Sequence, residues 1–84
     1  MLQELKNGTK VVGAKQTKRA LNEGRVLRVY YAADADPILW EPIVAMCEEK
    51  GVPAVEAAGM KQLGIACSIA VGAAVAALVT EQEG

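Results

Sequence analysis

Residues 71–79 form a nearly unbroken run of Val, Ala and Leu that leads into a polar tail at residues 81–84. Apolar side chains fall at successive positions, so the run shows neither clean helical nor clean strand periodicity. Its length and Val content favour a central strand covered on both sides. The wider stretch 69–79 is too short to span a bilayer, and Gly72 interrupts it. A chain that ends in such a strand needs a packed layer on each side of one sheet.

The rest of the chain supplies those layers. Residues 1–6 read as a short amphipathic helix closed by Asn7-Gly8, and 9–12 as a strand. A helix is expected over 14–23, stopped by Gly24, and then a strand over 26–32, rich in β-branched and aromatic residues. Asp36 is a good N-cap and Pro37 suits the first helical position, so another helix runs to Lys50, where Gly51 ends it. Its buried face is expected to hold Leu39, Ile43, Met46 and Cys47. Pro42 is awkward inside it and reads as a 3₁₀ start, with regular helix beginning there. Residues 52–56 follow as a strand, Ala57-Ala58-Gly59 as a small-residue loop, and 60–67 as a helix burying Met60, Leu63, Ala66 and Cys67. This alternation implies an α/β fold: a three-layer α/β/α sandwich around a four-stranded mixed sheet. The expected organisation is a single domain, 1–84. With only three aromatic residues, its core must be aliphatic and Ala-rich.

Charge is polarised along the chain. Residues 1–28 carry a net +5 and residues 29–84 a net −6. One basic surface for an anionic partner is one reading; segregation lost on folding is the other. Within the basic half stands Gly13-Ala14-Lys15-Gln16-Thr17-Lys18-Arg19. At helical spacing Lys15, Gln16 and Arg19 share one face, with Thr17, Ala20 and Leu21 on the core side. A helix start with cations and an amide combines free backbone N–H groups, a positive dipole end and base-edge donors. That suits a nucleic acid, although the same pattern also describes a solvated amphipathic helix.

Catalysis finds little support. Histidine is absent, and no Ser, Cys or Lys has an activating partner in sequence. Asp34 and Asp36 invite a metal, but helix capping is the better reading. Cys47 and Cys67 lie among apolar neighbours, as buried free thiols suited to a reducing cytoplasm, and no signal peptide is evident. The expectation is a monomeric, non-enzymatic protein without cofactor, metal, membrane segment or small-molecule substrate.

Four segments together carry a resemblance. They are Gly13-Ala14-Lys15-Gln16-Thr17-Lys18-Arg19, Ala33-Asp34-Ala35-Asp36-Pro37, Met60-Lys61-Gln62-Leu63-Gly64-Ile65-Ala66-Cys67 and Val71-Gly72-Ala73-Ala74. In this order and spacing the chain resembles the ribosomal L7Ae-like family of kink-turn RNA-binding proteins, in particular its short bacterial members. The resemblance implies RNA as partner: a helix bent sharply at a bulge beside tandem sheared G·A pairs, ribosomal or regulatory. Ordinary A-form RNA hides its major groove, whereas a kink opens it to a helix N-terminus. Guanine O6 and N7 then meet Arg and Lys donors.

Family helices carry Asn-Glu after the glycine and a basic residue three positions on. Here those places hold Lys15, Gln16 and Arg19, a departure expected in the bacterial branch. Gly13 would let the backbone approach phosphate, Ala14 falls among the RNA-binding positions beside it, and Lys18 would contact a phosphate. The resemblance also implies a second surface, Ala57-Ala58-Gly59-Met60-Lys61, where relatives cover extruded bases with apolar residues. Ala57 and Ala58 would make a shallow cap, Lys61 could reach a phosphate, and Met60 reads as core. Ala33 stands where relatives often carry a charge near the RNA, and Ser68 where they often have Gly. The competing reading is a protein-interaction module of the same fold, facing its partner with Asp34, Asp36, Glu41, Glu48 and Glu49.

Overall fold

The computed structural model describes residues 8–80. The elements are β1 (Lys10–Val12), α1 (Ala14–Asn22), β2 (Val26–Ala32), α2 (Pro37–Lys50), β3 (Ala54–Ala57), α3 (Met60–Ala66) and β4 (Val75–Val79). The helix expected over 1–6 and the tail 81–84 lie outside the described residues.

The strands form one mixed sheet in the order β1-β4-β2-β3. β4 runs antiparallel to β1 and β2, while β2 and β3 are parallel. A parallel pair needs a long crossover, and α2 provides it. The final strand is therefore internal, as its uniform apolar character requires. Side chains alternate along it. Val75, Ala77 and Val79 pack with Ala20 and Leu21 of α1 and with Ile43 and Cys47 of α2. Ala76 points the other way, into a cluster with Tyr30, Ala32, Ala57, Leu63, Ala66, Cys67 and Ala73. Among the described residues α1 and α2 cover one face of the sheet and α3 the other, giving the α/β/α sandwich. The small alanines beneath α3 let this short helix lie close to the sheet.

Several local expectations are corrected. α2 is one continuous helix from Pro37, with Pro42 inside it rather than at its start. Pro42 is exposed on the outer face, where its ring meets solvent rather than the core. Leu39 on the same helix is 42% exposed and Met46 only half-buried, leaving Ile43 and Cys47 as its buried residues. β4 begins at Val75, not at 71, because residues 71–72 are laid across α3. A Cβ on Gly64 would stand 2.3 Å from the Val71 carbonyl oxygen, so the loop backbone occupies the space of a side chain. β3 starts at Ala54: the Val52 N–H is spent on the Cys47 carbonyl in the turn that closes α2. In β2 the register with β4 shifts between Val26 and Arg28, and Leu27 at this irregularity is 52% exposed.

Candidate nucleic-acid interface

The strand directions bring the C-terminal ends of β1, β2 and β3 and the N-terminal end of β4 to one end of the sheet. Four connecting segments meet there. The Gly13 N–H donates to the Val75 carbonyl at 2.8 Å, and the Ala32 N–H to the Ala74 carbonyl at 2.8 Å. The Ala73 N–H donates to the Met60 carbonyl at 3.0 Å. The Met60 N–H donates to Asp34 Oδ1 at 2.9 Å. The start of α1, the turn after β2, the loop into α3 and the loop into β4 are therefore one surface. β1 and β3 are the two edges of the described sheet, and the chain entering β4 ties both helix starts together, holding Gly13 through Val75 and Met60 through Ala73.

On α1 the expected faces are observed. Lys15, Gln16, Lys18 and Arg19 are exposed and Ala14 is half-buried, while Thr17, Ala20 and Leu21 are buried. Gly13 is the N-cap with φ 103°, in the left-handed region. A Cβ there would meet nothing, so the backbone conformation rather than crowding calls for glycine. No side chain caps this helix start, and its first turn holds no acid. Its backbone N–H groups and positive dipole end consequently face outward beside Lys15 and Gln16.

Further along, Arg19 Nε lies 3.7 Å from Glu23 Oε2, and Arg25 Nη1 lies 2.9 Å from Glu23 Oε1. Gln16, Arg19, Glu23 and Arg25 line a shallow groove with Val11 and Ala20.

The start of α3 is different. Asp34 sets its carboxylate on the first N–H of the helix, so this positive end is already matched by an anion. Asp36 meanwhile caps α2, its Oδ1 accepting from the Ile38 N–H at 3.1 Å. Both aspartates are thus helix caps, and no cluster of metal-ligating side chains occurs among the described residues.

Of the second expected surface, Ala58 and Lys61 are exposed. Gly59 is buried against Asp34, and Ala57 is buried in the core beneath α3. The Ala57 side chain is therefore turned away from this surface. Met60 corrects the reading as core: it is 37% exposed. Beside it stands Val71, 72% exposed, on the loop whose Gly72 packs under the Met60 side chain. Met60 and Val71 are thus exposed apolar residues on two adjoining segments, the start of α3 and the loop into β4. Reading 71–79 as a strand concealed Val71; the only sequence signal for it is Gly72, which breaks the apolar run. Ala33 is exposed at the rim.

No helix among the described residues is long and apolar enough to cross a membrane.

Comparison with known proteins agrees with this architecture. The sequence matches the ribosomal protein L7Ae/L30e/S12e/Gadd45 family over residues 2–84. An RNA-binding protein of Geobacillus sp. (strain WCH70) is 47% identical over 75 residues, covering 89% of this chain and 92% of that protein. RNA-binding protein YbxF of Geobacillus stearothermophilus is 45% identical over the same length and coverage. Among solved structures, the Giardia lamblia 15.5kD RNA binding protein superposes with a TM-score of 0.88 at 34% identity. That match covers 96% of this chain and 72% of the other. The chain belongs to the ribosomal protein L7Ae/L30e/S12e/Gadd45 family.

Proposed function

We propose that this member of the ribosomal protein L7Ae/L30e/S12e/Gadd45 family is a non-catalytic RNA-binding protein that recognises and stabilises kink-turn RNA, ribosomal or regulatory, as a cytoplasmic monomer. The observation that carries the reading is the uncapped start of α1, which presents Lys15, Gln16 and Arg19 on one exposed face. The relatives named as RNA-binding proteins support it.

A division of labour follows from the two helix starts. The N-terminus of α1 carries positive dipole and cations with no internal anion, so backbone phosphate is directed there. The N-terminus of α3 is matched by Asp34 and offers little to a phosphate. Its neighbourhood supplies apolar surface from Met60 and Val71, with Lys61 as the local cation. Bases extruded at a bulge need apolar cover and a nearby charge rather than an anion site. Gln16 and Arg19 face the opened major groove, where an amide can pair with adenine and a guanidinium with guanine. Lys15 and Lys18 supply phosphate contacts that position the RNA without reading it.

The stabilising half of this function is tested with a kink-turn RNA carrying fluorophores on its two arms, in buffer without divalent cations. Added protein is expected to raise energy transfer between the arms, reporting closure of the kink. Binding with no change in transfer would contradict it.

A further inference from the structure

Resting on the reading above, we infer that Glu23 is a positioning residue for base recognition, acting through Arg19 without touching RNA. Glu23, the C-cap of α1, lies one turn beyond Arg19 and lines the groove that Gln16 and Arg19 also line. Its two carboxylate oxygens are divided between two guanidinium groups. Oε1 is held at 2.9 Å by Arg25, whose side chain is only 24% exposed, and Oε2 faces Arg19 Nε at 3.7 Å. The Arg25 backbone is held on both sides, its N–H donating to the Ala20 carbonyl and its carbonyl accepting from the Thr80 N–H, and its side chain is the more enclosed of the two arginines. The order of rigidity therefore runs from Arg25 to Glu23 to Arg19.

The contact uses Arg19 by its Nε side. A guanidinium has separate donor edges. Engaging Nε leaves the outer pair, Nη1 and Nη2, free as the parallel fork that matches guanine O6 and N7. Arg19 is otherwise a long side chain, 76% exposed, whose rotamers would have to be frozen on binding. Glu23 restricts that freedom beforehand and does so beside Gln16, so the amide and the fork are presented together. It also removes one positive charge from the basic face, which lowers affinity for any unstructured or mispaired RNA. One carboxylate thus raises discrimination in two ways: it orders the reading group and weakens the non-specific background.

The experiment compares wild type, Glu23→Ala, Glu23→Gln, Arg19→Ala and the double variant Arg19→Ala/Glu23→Ala. Each binds a kink-turn RNA and the same RNA with its sheared G·A pairs replaced by Watson–Crick pairs, with thermal melting as the control for folding. The carboxylate is on the surface, and the capping at Glu23 uses only its backbone, so the variants are expected to fold. Glu23→Ala should reduce the ratio of kink to control affinity by about 1.5- to 5-fold, the range of an exposed ion pair. Its affinity for the control RNA should rise, with a steeper salt dependence. Glu23→Gln, which keeps an acceptor for Nε, should retain part of the ratio. In the Arg19→Ala background, removing Glu23 should no longer lower the ratio. If Glu23→Ala keeps the ratio or raises it, Glu23 is a bystander or a competitor for Arg19, and the inference is wrong. If wild type itself shows no ratio, kink recognition fails instead, and the two failures are told apart by that first titration.

Discussion

Asp34 Oδ1 accepts the backbone N–H of Met60 at 2.9 Å, across 26 residues of chain. A side chain in the turn after β2 thereby closes the start of α3, which has only Gly59 at its own N-cap and no local cap. Two of the segments that build the proposed RNA surface are fixed to each other by this bond. Asp34→Ala should lower stability by about 1 kcal/mol, the usual value of a lost helix cap. Asp34→Asn keeps an acceptor and should lose less. Urea denaturation of the three proteins measures both, and equal stability of Asp34→Ala and wild type would remove the cap from the account of α3.

Ser68 has φ 61°, the one non-glycine residue with positive φ among those described. It follows α3 in a paired C-terminal turn: the Ser68 N–H donates to the Ile65 carbonyl and the Ile69 N–H to the Gly64 carbonyl. Ser in this conformation carries strain that glycine does not. Ser68→Gly should raise stability by roughly 0.5–1 kcal/mol, the left-handed penalty less glycine's added chain entropy. A thermal melt at matched concentration decides the sign.

Gly64 is buried beneath the loop into β4. Since a Cβ there would meet the Val71 carbonyl at 2.3 Å, Gly64→Ala must push the loop off α3. The expected cost is about 1–3 kcal/mol, as for other overpacked sites. Binding to RNA should weaken too, because Val71 moves with the loop. An amide spectrum showing shifts confined to α3 itself, with residues 69–74 unchanged, would contradict this.

Burial raises the thiol pKa of Cys47, and burial does the same at Cys67, partly offset by the nearby Lys10 charge. In each case the folded value lies above the ordinary 9.0. The folded state then holds its thiol protons longer than the unfolded chain does. Their contribution to stability is fully present below the ordinary value and is lost as pH rises from it through the folded pKa. Denaturation midpoints are therefore expected to be level near neutral pH and to fall above about pH 9. Both thiols should react slowly with Ellman's reagent until the protein unfolds. Replacing both cysteines with Ala should flatten part of the alkaline decline.

The layer order was legible in the sequence because each link in it is local. Gly24 and Gly51 end their helices, Asp36-Pro37 begins one, and the uniformly apolar run before the polar tail has to be internal. What escaped was set by contacts between distant segments. Asp34 looked like part of an Asp-rich helix start, yet it serves a helix 26 residues later. Met60 has core-like spacing with Leu63, but Gly72 packs under it and leaves its outer side exposed. Val71 reads as part of β4 from the sequence, but the backbone there fills the notch at Gly64. Pro42 gave a false boundary because its outward position on α2 is not visible from the residues alone. On the proposed RNA-facing side, the α1 face was readable from a single helical repeat. The exposed apolar pair Met60 and Val71 was not, since it joins the start of α3 to the loop into β4.

In the proposed interface Arg19 reads bases and Lys18 positions the backbone, and two variants separate these roles. Arg19→Ala should weaken binding to a kink-turn by about 1–3 kcal/mol while changing a mispaired control less. Lys18→Ala should weaken both RNAs alike and reduce the salt slope by about 1. Affinities over a range of salt concentrations test both; equal losses for Arg19→Ala on the two RNAs would remove it from base readout.

Calorimetric titration of a short kink-turn RNA into the protein, beside the same RNA with its tandem sheared G·A pairs replaced by Watson–Crick pairs, bears most directly on the proposed function. Tight binding to the first and weak binding to the second is the predicted result. Equal, weak binding to both would reduce the α1 face to a non-specific phosphate patch and make a protein partner for this fold the better reading.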